Sequence, residues 1–376
     1  MSRRVAGLLL GLLVAACSGA ETPIATATLA SPAVVQPLPT PTADPEIAAA
    51  LAVQARRDAA WRTKDVDAAV ALAAPDAPAA FRLRERALAE IAAAGVLLAP
   101  ERRIFVSFGS AAGLRVVNVA ERDSQGRSRR LRYFTTPLGP NGEAARVTEP
   151  ELASLGEEIV VPGARFVTRA RAIDAEQAAT ALGYAEEAVP ALVAVLGEAY
   201  RPTVAVTLAF APTVVPDLPP LASAYTNGTV ITFLSSQSGV AGGDESGPWS
   251  KTVVTHELAH VMLFARGTGP FVLSEGLPLW LTDDRRQPEL DRIVAANAFW
   301  TLDHLIAGPK DATEFFAGYA QASSFVRYLA ATHGTAKVLA AWEAGRAAPF
   351  PEAFTTAFGT TAEAAYGAWR GTLRQR

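Results

Sequence analysis

The sequence TVVTHELAHVM, residues 252–262, decides how this chain is interpreted. It contains the motif H-E-x-x-H, with histidines at His256 and His260 and a glutamate at Glu257. On a helix, positions four apart lie on one face, so both imidazoles can point at a single ion while Glu257 lies beside them. The apolar residues around the motif and the glycines and proline at 267–270 predict a helix over residues 250–266.

Two histidines used only for packing or surface polarity are the alternative interpretation of this motif. The chain has only four histidines. An accidental H-E-x-x-H is therefore expected in about one of a few hundred such sequences, and fewer still would carry it within a helical pattern. The motif therefore favours a zinc site.

A catalytic zinc site needs a third protein ligand and one open position. Glu275 is the single carboxylate in the otherwise apolar segment 271–281, where an unpaired charge would be costly. Coordination to zinc removes that cost, whereas the alternative is a carboxylate stabilised by the dipole of a helix N-terminus. Asp283 and Asp284 lie beside two arginines and are predicted to be solvated loop charges. We therefore predict one Zn²⁺ held by the two motif histidines and Glu275.

The segment resembles the peptidase MA-like group of gluzincin zinc metallopeptidases. Three blocks match in family order: H-E-x-x-H, then SEGL at 274–277, then GYAQA at 318–322 leading into FVRYL at 325–329. Two features depart from the pattern. Only 14 residues separate His260 from Glu275, and Leu279 stands where many relatives carry an aspartate that braces a zinc histidine. Another carboxylate or a backbone carbonyl must therefore orient the imidazoles.

The resemblance implies a zinc peptidase with defined roles. Zinc lowers the pKa of its bound water and polarises the scissile carbonyl, while Glu257 takes the proton of the water and passes it to the leaving amine. The family pattern implies that Tyr319 donates to the oxyanion, and ordinary core packing is the alternative for this tyrosine. His304 and His333 are predicted to be structural or solvated.

A second functional class stays open at this point. The chain could be a non-catalytic surface peptide-binding protein that retains a zincin fold. An intact Glu257 favours catalysis, because a structural zinc site needs no general base.

Elements upstream of the motif are predicted to build the cleft. Asp174 and Gln177 resemble a capping box at the start of a long helix, and residues 203–210 have the pattern of a buried strand. Residues 222–234 alternate around an Asn-Gly turn, which predicts a pair of strands near the cleft. We expect an exposed edge there to bind a peptide backbone as an extra strand.

The first residues predict where the protein works. A short positive region, an apolar run at 5–16 and then Cys17 resemble a bacterial lipoprotein signal peptide over residues 1–16, with Cys17 lipidated. A plain signal peptide is the alternative. Residues 17–45 are Pro-, Thr- and Ala-rich and are predicted to be a disordered tether. The expected location is the cell envelope, extracytoplasmic and lipid-anchored to the membrane.

The remaining chain predicts an α+β protein in two domains. Residues 46–155 begin with three helical segments and continue with three strands, an order that resembles the cone-shaped nuclear-transport-factor-2-like fold. Their arginines, among them Arg84 and Arg132, are predicted to be a solvated face. Residues 156–376 are predicted to be a zincin-like domain with a helical C-terminal half, including helices over 288–306 and 315–332.

Composition limits the partners. The formal net charge is -3 and no basic aromatic stripe is present, so nucleic acid is excluded as a partner. Cys17 is the single cysteine, so the chain can form no internal disulfide. The expected partners are a peptide or protein substrate and, through lipidated Cys17, a membrane surface. The sequence does not predict the oligomeric state or the role of the first domain.

Overall fold

A computed structural model describes residues 44–95, 102–122, 128–139, 144–150, 152–211, 224–234 and 251–375. The predicted signal peptide, Cys17 and nearly all of the predicted tether lie outside the described residues. What the sequence predicts for them stays a prediction.

The N-terminal part consists of helices followed by an antiparallel sheet. Its elements are α1 (Pro45–Thr63), α2 (Val66–Val70), α3 (Ala79–Ala93), β1 (Arg102–Ala111), β2 (Leu114–Arg122), β3 (Ser128–Thr135) and β4 (Val147–Thr148). The strands pair in the order β1-β2-β3-β4, with every pair antiparallel. The predicted order of three helices and three strands is confirmed, and the short β4 is an addition.

The space between these helices and the sheet is only partly apolar. Ala50 of α1 packs on Val117 and Val119 of β2, as in an ordinary core. Two turns further along α1, however, buried Arg57 forms an ion pair with buried Glu85 of α3 at 2.9 Å. Arg84 and Arg132 are also buried, so the prediction that they are solvated is wrong. Sequence patterns alone do not separate an exposed arginine from one paired inside the fold.

A second sheet opens the C-terminal part. Its strands are β5 (Glu158–Pro162), β6 (Phe166–Arg171), β7 (Val206–Ala211), β8 (Ala224–Asn227) and β9 (Val230–Leu234), in the order β5-β6-β7-β9-β8. The pairs β6–β7 and β7–β9 are parallel, and β5 and β8 pair antiparallel at the two edges. The predicted β7 and the β8–β9 hairpin are confirmed, whereas β5 and β6 were not predicted.

Helices make up the rest of the chain. They are α4 (Ala175–Leu196), which connects β6 to β7, then α5 (Lys251–Phe264), α6 (Phe271–Ser274), α7 (Gly276–Leu281), α8 (Gln287–Ala295), α9 (Leu302–Ala307), α10 (Phe315–His333), α11 (Thr335–Ala344), α12 (Phe350–Phe358) and α13 (Ala362–Leu373). One continuous hydrophobic core runs through the second sheet and these helices. The sheets therefore lie in the N-terminal half and the C-terminal half is helical, which agrees with the predicted arrangement.

Two helical predictions need correction. The single helix predicted over 288–306 is two helices, α8 and α9, separated by a segment in which Asn297 has a φ of 49°. Asp174 does not cap α4 with its side chain. It forms an ion pair with Arg132 at 2.7 Å instead, with both side chains buried. This pair joins β3 of the first sheet to the start of α4.

Within the described residues, one helix, α4, is long and apolar enough to cross a membrane by length and composition. Its buried face packs against β6 and α5, and the buried residues include Ala178, Ala181 and Val189. A buried core helix passes the same test of length and composition, so we assign α4 to the core.

Candidate metal centre

The motif residues lie on α5, which is held in place by the hydrophobic core and by a hydrogen bond at its C-terminal end. Val253, Val254 and Leu258 are fully buried in the core. At the helix end, the indole Nε1 of Trp342 donates to the carbonyl of Leu263 at 2.8 Å. The same carbonyl also accepts the backbone N–H of Gly267 at 3.0 Å, and the additional hydrogen bond from Trp342 ties the C-terminus of α5 to α11.

Glu275 lies between α6 and α7, in a nearly continuous helical run. Its N–H donates to the carbonyl of Phe271 at 2.9 Å, and its own carbonyl accepts from Leu279 at 3.1 Å. The next residue, Gly276, packs directly against α10. A Cβ added at Gly276 would lie 2.5 Å from Cγ2 of Val326 and 2.7 Å from the carbonyl oxygen of Ala322. The absence of a side chain therefore lets α7 approach α10 closely, next to Glu275.

Three ligand atoms converge at one point. The Nε2 atoms of His256 and His260 are 3.0 Å apart, and Oε2 of Glu275 lies 3.5 Å from each of them. Zinc bonds of about 2.0–2.1 Å in a tetrahedral arrangement place neighbouring ligand atoms about 3.3 Å apart. The three residues therefore fit a zinc ion. Among the described residues, no other group of histidine, cysteine or acidic side chains converges in this way.

The protonation states also fit a metal. Burial lowers the pKa of His256 to about 4, against the attraction of Glu275. Burial on its own would raise the pKa of Glu275, but attraction to the two histidines outweighs it and lowers the pKa to about 2. At neutral pH, His256 is therefore neutral and Glu275 is ionised, and these are the forms that coordinate zinc.

Glu257 is fully buried next to the cluster. Neither of its carboxylate oxygens has a hydrogen-bond partner among the described residues. Burial raises the pKa of Glu257 to about 7, and repulsion from Glu275 contributes to this rise. A carboxylate with a pKa near the working pH can both accept and release a proton, as a general base requires.

Tyr319 lies on α10 and reaches the same cluster. Its ring stacks on Phe315 at 4.3 Å and packs edge-on against Phe271 at 5.4 Å. Burial raises the pKa of the hydroxyl well above its usual value, and the charge of Glu275 and a hydrogen bond to it raise the pKa further. The hydroxyl is therefore protonated at neutral pH and can donate. The structure thus brings together the five residues predicted for the zinc site, whereas Cys17, predicted to be lipidated, lies outside the described residues.

Three neighbours of the site were missed by sequence reasoning. Asp284 is buried and not solvated as predicted, because it pairs with buried Arg286 at 3.0 Å. The guanidinium of Arg286 lies 5.5 Å from the ring centroid of Tyr319. Thr226 of β8 donates to the backbone carbonyl of Glu257 at 3.4 Å, which places the edge strand against the motif. No sequence signal marks these residues, since the contacts of Arg286 with Tyr319 and of Thr226 with Glu257 join separate elements, and the burial of Asp284 depends on the fold around its loop.

The other two histidines lie apart from the cluster. His304 stacks on Trp300 at 3.9 Å, and its Nε2 lies 2.9 Å from Glu314. His333 packs edge-on against Phe358 at 5.2 Å. These contacts agree with the prediction that both are structural.

Comparison with known proteins gives distant structural likenesses. No protein-family model matches this chain, and no curated protein matches its sequence. The similar solved structures include M1 zinc metallopeptidases. A mutant two-domain M1 zinc metallopeptidase bound to L-arginine is 14% identical to this chain, with a TM-score of 0.38. The superposition covers 73% of this chain and 61% of the metallopeptidase. An M1 zinc metallopeptidase from Deinococcus radiodurans is 16% identical, with coverages of 72% and 61% and a TM-score of 0.33.

A third similar structure is yeast LTA4 hydrolase in complex with bestatin. It is 11% identical to this chain, with a TM-score of 0.35. The superposition covers 60% of this chain and 39% of the yeast protein. The chain therefore spans less than two thirds of the length of each of these proteins. We infer its function from its own residues.

Proposed function

We propose that this protein is a zinc-dependent peptidase of the gluzincin type. The observation that carries the proposal is the convergence of His256, His260 and Glu275 on one point, with the buried carboxylate of Glu257 beside them. Three protein ligands leave the fourth tetrahedral position open, which is typical of catalytic and not of structural zinc sites.

Each residue of the site has its own proposed role in peptide hydrolysis. A zinc ion bound by the three ligands supplies Lewis acidity, which acidifies water and polarises a carbonyl. Glu257 takes the proton of the attacking water and delivers it to the leaving amine. Tyr319 donates its hydroxyl proton in a hydrogen bond to the oxygen of the scissile carbonyl as negative charge develops there.

The substrate is proposed to bind along β8. This strand is an edge of the second sheet, since only β9 pairs with it in the described part of the chain. Thr226 of β8 contacts the first turn of the motif. An extended peptide added at this edge gains main-chain hydrogen bonds with little dependence on its sequence, and its backbone passes close to Glu257.

The location and the first domain belong to the same proposal. After removal of the signal peptide over residues 1–16, the lipid on Cys17 would anchor the protein at a membrane surface, and the tether would let the peptidase extend from it. The cone-like fold over residues 46–155 would then lie between the anchor and the peptidase.

The proposal is tested with the purified full-length protein and a mixture of unrelated peptides. We expect cleavage that a chelator abolishes and zinc restores. Glu257→Ala is expected to keep stoichiometric zinc and the fold while losing hydrolysis, because it removes only the general base. Unchanged turnover in this variant would contradict the proposed role of Glu257. Bound zinc with no cleavage by the wild type would support the non-catalytic alternative.

A further inference from the structure

The turn that joins α7 to α8 lies along one face of α10. Tyr319, Ser323 and Arg327 are spaced four residues apart on α10, so they share a face of that helix. Oγ of Ser323 donates to the carbonyl of Asp284 at 2.6 Å, and the guanidinium of Arg327 donates to Oδ1 of Asp283 at 2.7 Å. The turn is therefore attached to α10 at two of these three positions.

Arg286, the last residue of the turn, contacts the third position. Its guanidinium carbon lies 5.5 Å from the ring centroid of Tyr319 and 6.0 Å from that of Phe316. A cation within about 6 Å of an aromatic ring is attracted to its face, and the attraction is stronger where water is excluded. Arg286 is 7% exposed and Tyr319 is 1% exposed. Water is thus largely excluded from this contact.

The guanidinium of Arg286 is held in place by Asp284. Oδ2 of Asp284 accepts from Nε at 3.1 Å and from a terminal nitrogen at 3.0 Å, and both side chains are buried. Charge-assisted hydrogen bonds from two N–H groups fix the orientation of a guanidinium as well as its distance. The backbone of Arg286 is left-handed, with a φ of 48°. Such strain persists where the surroundings maintain it, and it is concentrated at functional sites.

The other contacts of the Tyr319 ring are apolar. Phe315 stacks on the ring at 4.3 Å, and Phe271 packs edge-on against it at 5.4 Å. Arg286 adds a charged group to these aromatic contacts. The direction in which the phenol hydroxyl points depends on how the ring is held, and a donor stabilises an oxyanion only from the correct position.

We propose that Arg286 is a positioning residue for Tyr319. Held by Asp284, its guanidinium keeps the phenol ring in the orientation from which the hydroxyl donates to the developing oxyanion. Arg286 acts through the tyrosine and not on the scissile bond. The inference rests on the proposed function, because it assumes that Tyr319 is the oxyanion donor.

The kinetic test compares Arg286→Met with Arg285→Met in the full-length, zinc-loaded protein. Arg285 lies on the same turn, but its side chain is 58% exposed and pairs with Asp283, so its variant controls for the loss of a positive charge. We expect Arg286→Met to lower kcat by about 10- to 100-fold with KM and zinc affinity little changed, because a small displacement of a catalytic group has a cost of this order. Arg285→Met should match the wild type. A wild-type kcat in Arg286→Met would overturn the proposal.

A double-mutant cycle shows whether Arg286 acts through Tyr319. In a Tyr319→Phe background the hydroxyl is absent, so we expect Arg286→Met to cause little further loss of kcat. A loss as large as in the wild-type background would mean that Arg286 acts independently of the tyrosine, which contradicts the proposal.

A spectroscopic readout needs no substrate. In protein with ¹³C at Cζ of every tyrosine, the signal of Tyr319 is the one that Tyr319→Phe removes. We expect this signal to shift in Arg286→Met and to stay in place in Arg285→Met, with and without zinc. An unchanged signal in Arg286→Met would contradict the contact. Should Arg286→Met fail to fold, Arg286→Lys replaces it, because lysine keeps a cation but not the planar donor geometry; intermediate changes in kcat and signal are expected, and wild-type values would refute the role.

Failure of this inference is distinguishable from failure of the proposed function. Absence of metal-dependent hydrolysis in the wild type would refute the proposed function and with it the role of Arg286. Metal-dependent hydrolysis that falls in Tyr319→Phe but not in Arg286→Met would refute only the role of Arg286.

Discussion

At the scale of single residues, Glu257 combines a cost in stability with its proposed role as a general base. It is a fully buried carboxylate whose oxygens have no hydrogen-bond partner among the described residues. Burying an ionised group without a partner opposes folding. A general base needs this environment, because burial moves its pKa toward neutrality. We therefore expect Glu257 to lower the stability of the metal-free protein.

This expectation has a definite pH dependence. The pKa of Glu257 is raised from 4.5 to about 7, so the folded protein binds the proton more tightly than the unfolded chain does. Stability from this group is present below about pH 4.5 and is lost as the pH rises through 7. Glu257→Gln should thus stabilise the metal-free protein by on the order of 3 kcal/mol at about pH 8 and much less at about pH 5.

Urea unfolding in the presence of a chelator at the two pH values measures this difference. Gln is nearly isosteric and cannot ionise, so it isolates the charge. An equal effect of Glu257→Gln at both pH values would mean that the carboxylate is not destabilised by burial.

Tyr319 gives a second prediction at this scale. Tyr319→Phe removes one hydroxyl while keeping the ring contacts with Phe315 and Phe271. Losing a donor to a developing oxyanion costs about 10²–10³ in kcat. We expect a loss of this size in peptide hydrolysis with KM little changed, measured under saturating zinc. A wild-type kcat in Tyr319→Phe would mean that Tyr319 only packs in the core and does not donate to the oxyanion.

At the scale of elements, the site depends on the close packing of α7 on α10. Gly276 is the first residue of α7 and lies against the backbone of α10 at Ala322. Glu275 immediately precedes α7 and Tyr319 lies on α10, so a change in the separation of these helices alters the distance between the proposed zinc ligand and the proposed oxyanion donor.

Replacing Gly276 by alanine tests this packing. The new Cβ would overlap Val326 and the backbone of Ala322. Overpacking of this kind costs about 1–3 kcal/mol, and we expect weaker zinc binding as Glu275 is displaced. Gly183→Ala in α4 is the control, since no atom lies within 4 Å of its added Cβ; it should stabilise by up to about 1 kcal/mol. Thermal unfolding and zinc titration of both variants measure the effects, and the same outcome for both would contradict the proposed contact.

Elements with a strong local pattern could be predicted from the sequence, whereas others could not. The helices α5 and α10 follow from apolar spacing, and the β8–β9 hairpin from its Asn-Gly turn, where Gly228 has a φ of 60°. The strands β5 and β6 were not predicted because they are short and because Pro162 and Gly163, where they join, are typical of a loop. The spacing of H-E-x-x-H is fixed by a single helix and was therefore predictable. Asp284 was not, because its burial depends on partners in other elements.

At the scale of the whole molecule, several contacts among the described residues connect the N-terminal part, residues 46–155, to the C-terminal part, residues 156–376. Arg132 of β3 pairs with Asp174 at the start of α4, and both side chains are buried. Ala312, just before α10, packs against the cluster formed by α1 and α3. The first domain is therefore docked on the second, and not only a flexible spacer.

Removing one charge of this pair should separate the two parts. Asp174→Ala leaves Arg132 buried without its main partner, which lowers the free energy of unfolding by about 3–5 kcal/mol. We expect the melting temperature to fall and calorimetry to show a broader or divided transition. Glu158→Gln is the matched control, because Glu158 pairs with Arg169 at an exposed position at 3.0 Å and such pairs contribute about 0–1 kcal/mol. Similar effects of both variants would mean that the two parts unfold independently of the Asp174 pair.

The depth of the centre has a consequence for which substrates the proposed peptidase can cleave. His256, Glu257, His260 and Glu275 are each at most 3% exposed. A compact globular protein is too wide to bring a scissile bond to such a place, whereas a single bare strand is narrow enough. If the proposed function is correct, the protein would sort its targets by folding state: loosely structured or damaged polypeptides would be degraded, and intact folded proteins, including other copies of this chain, would be spared.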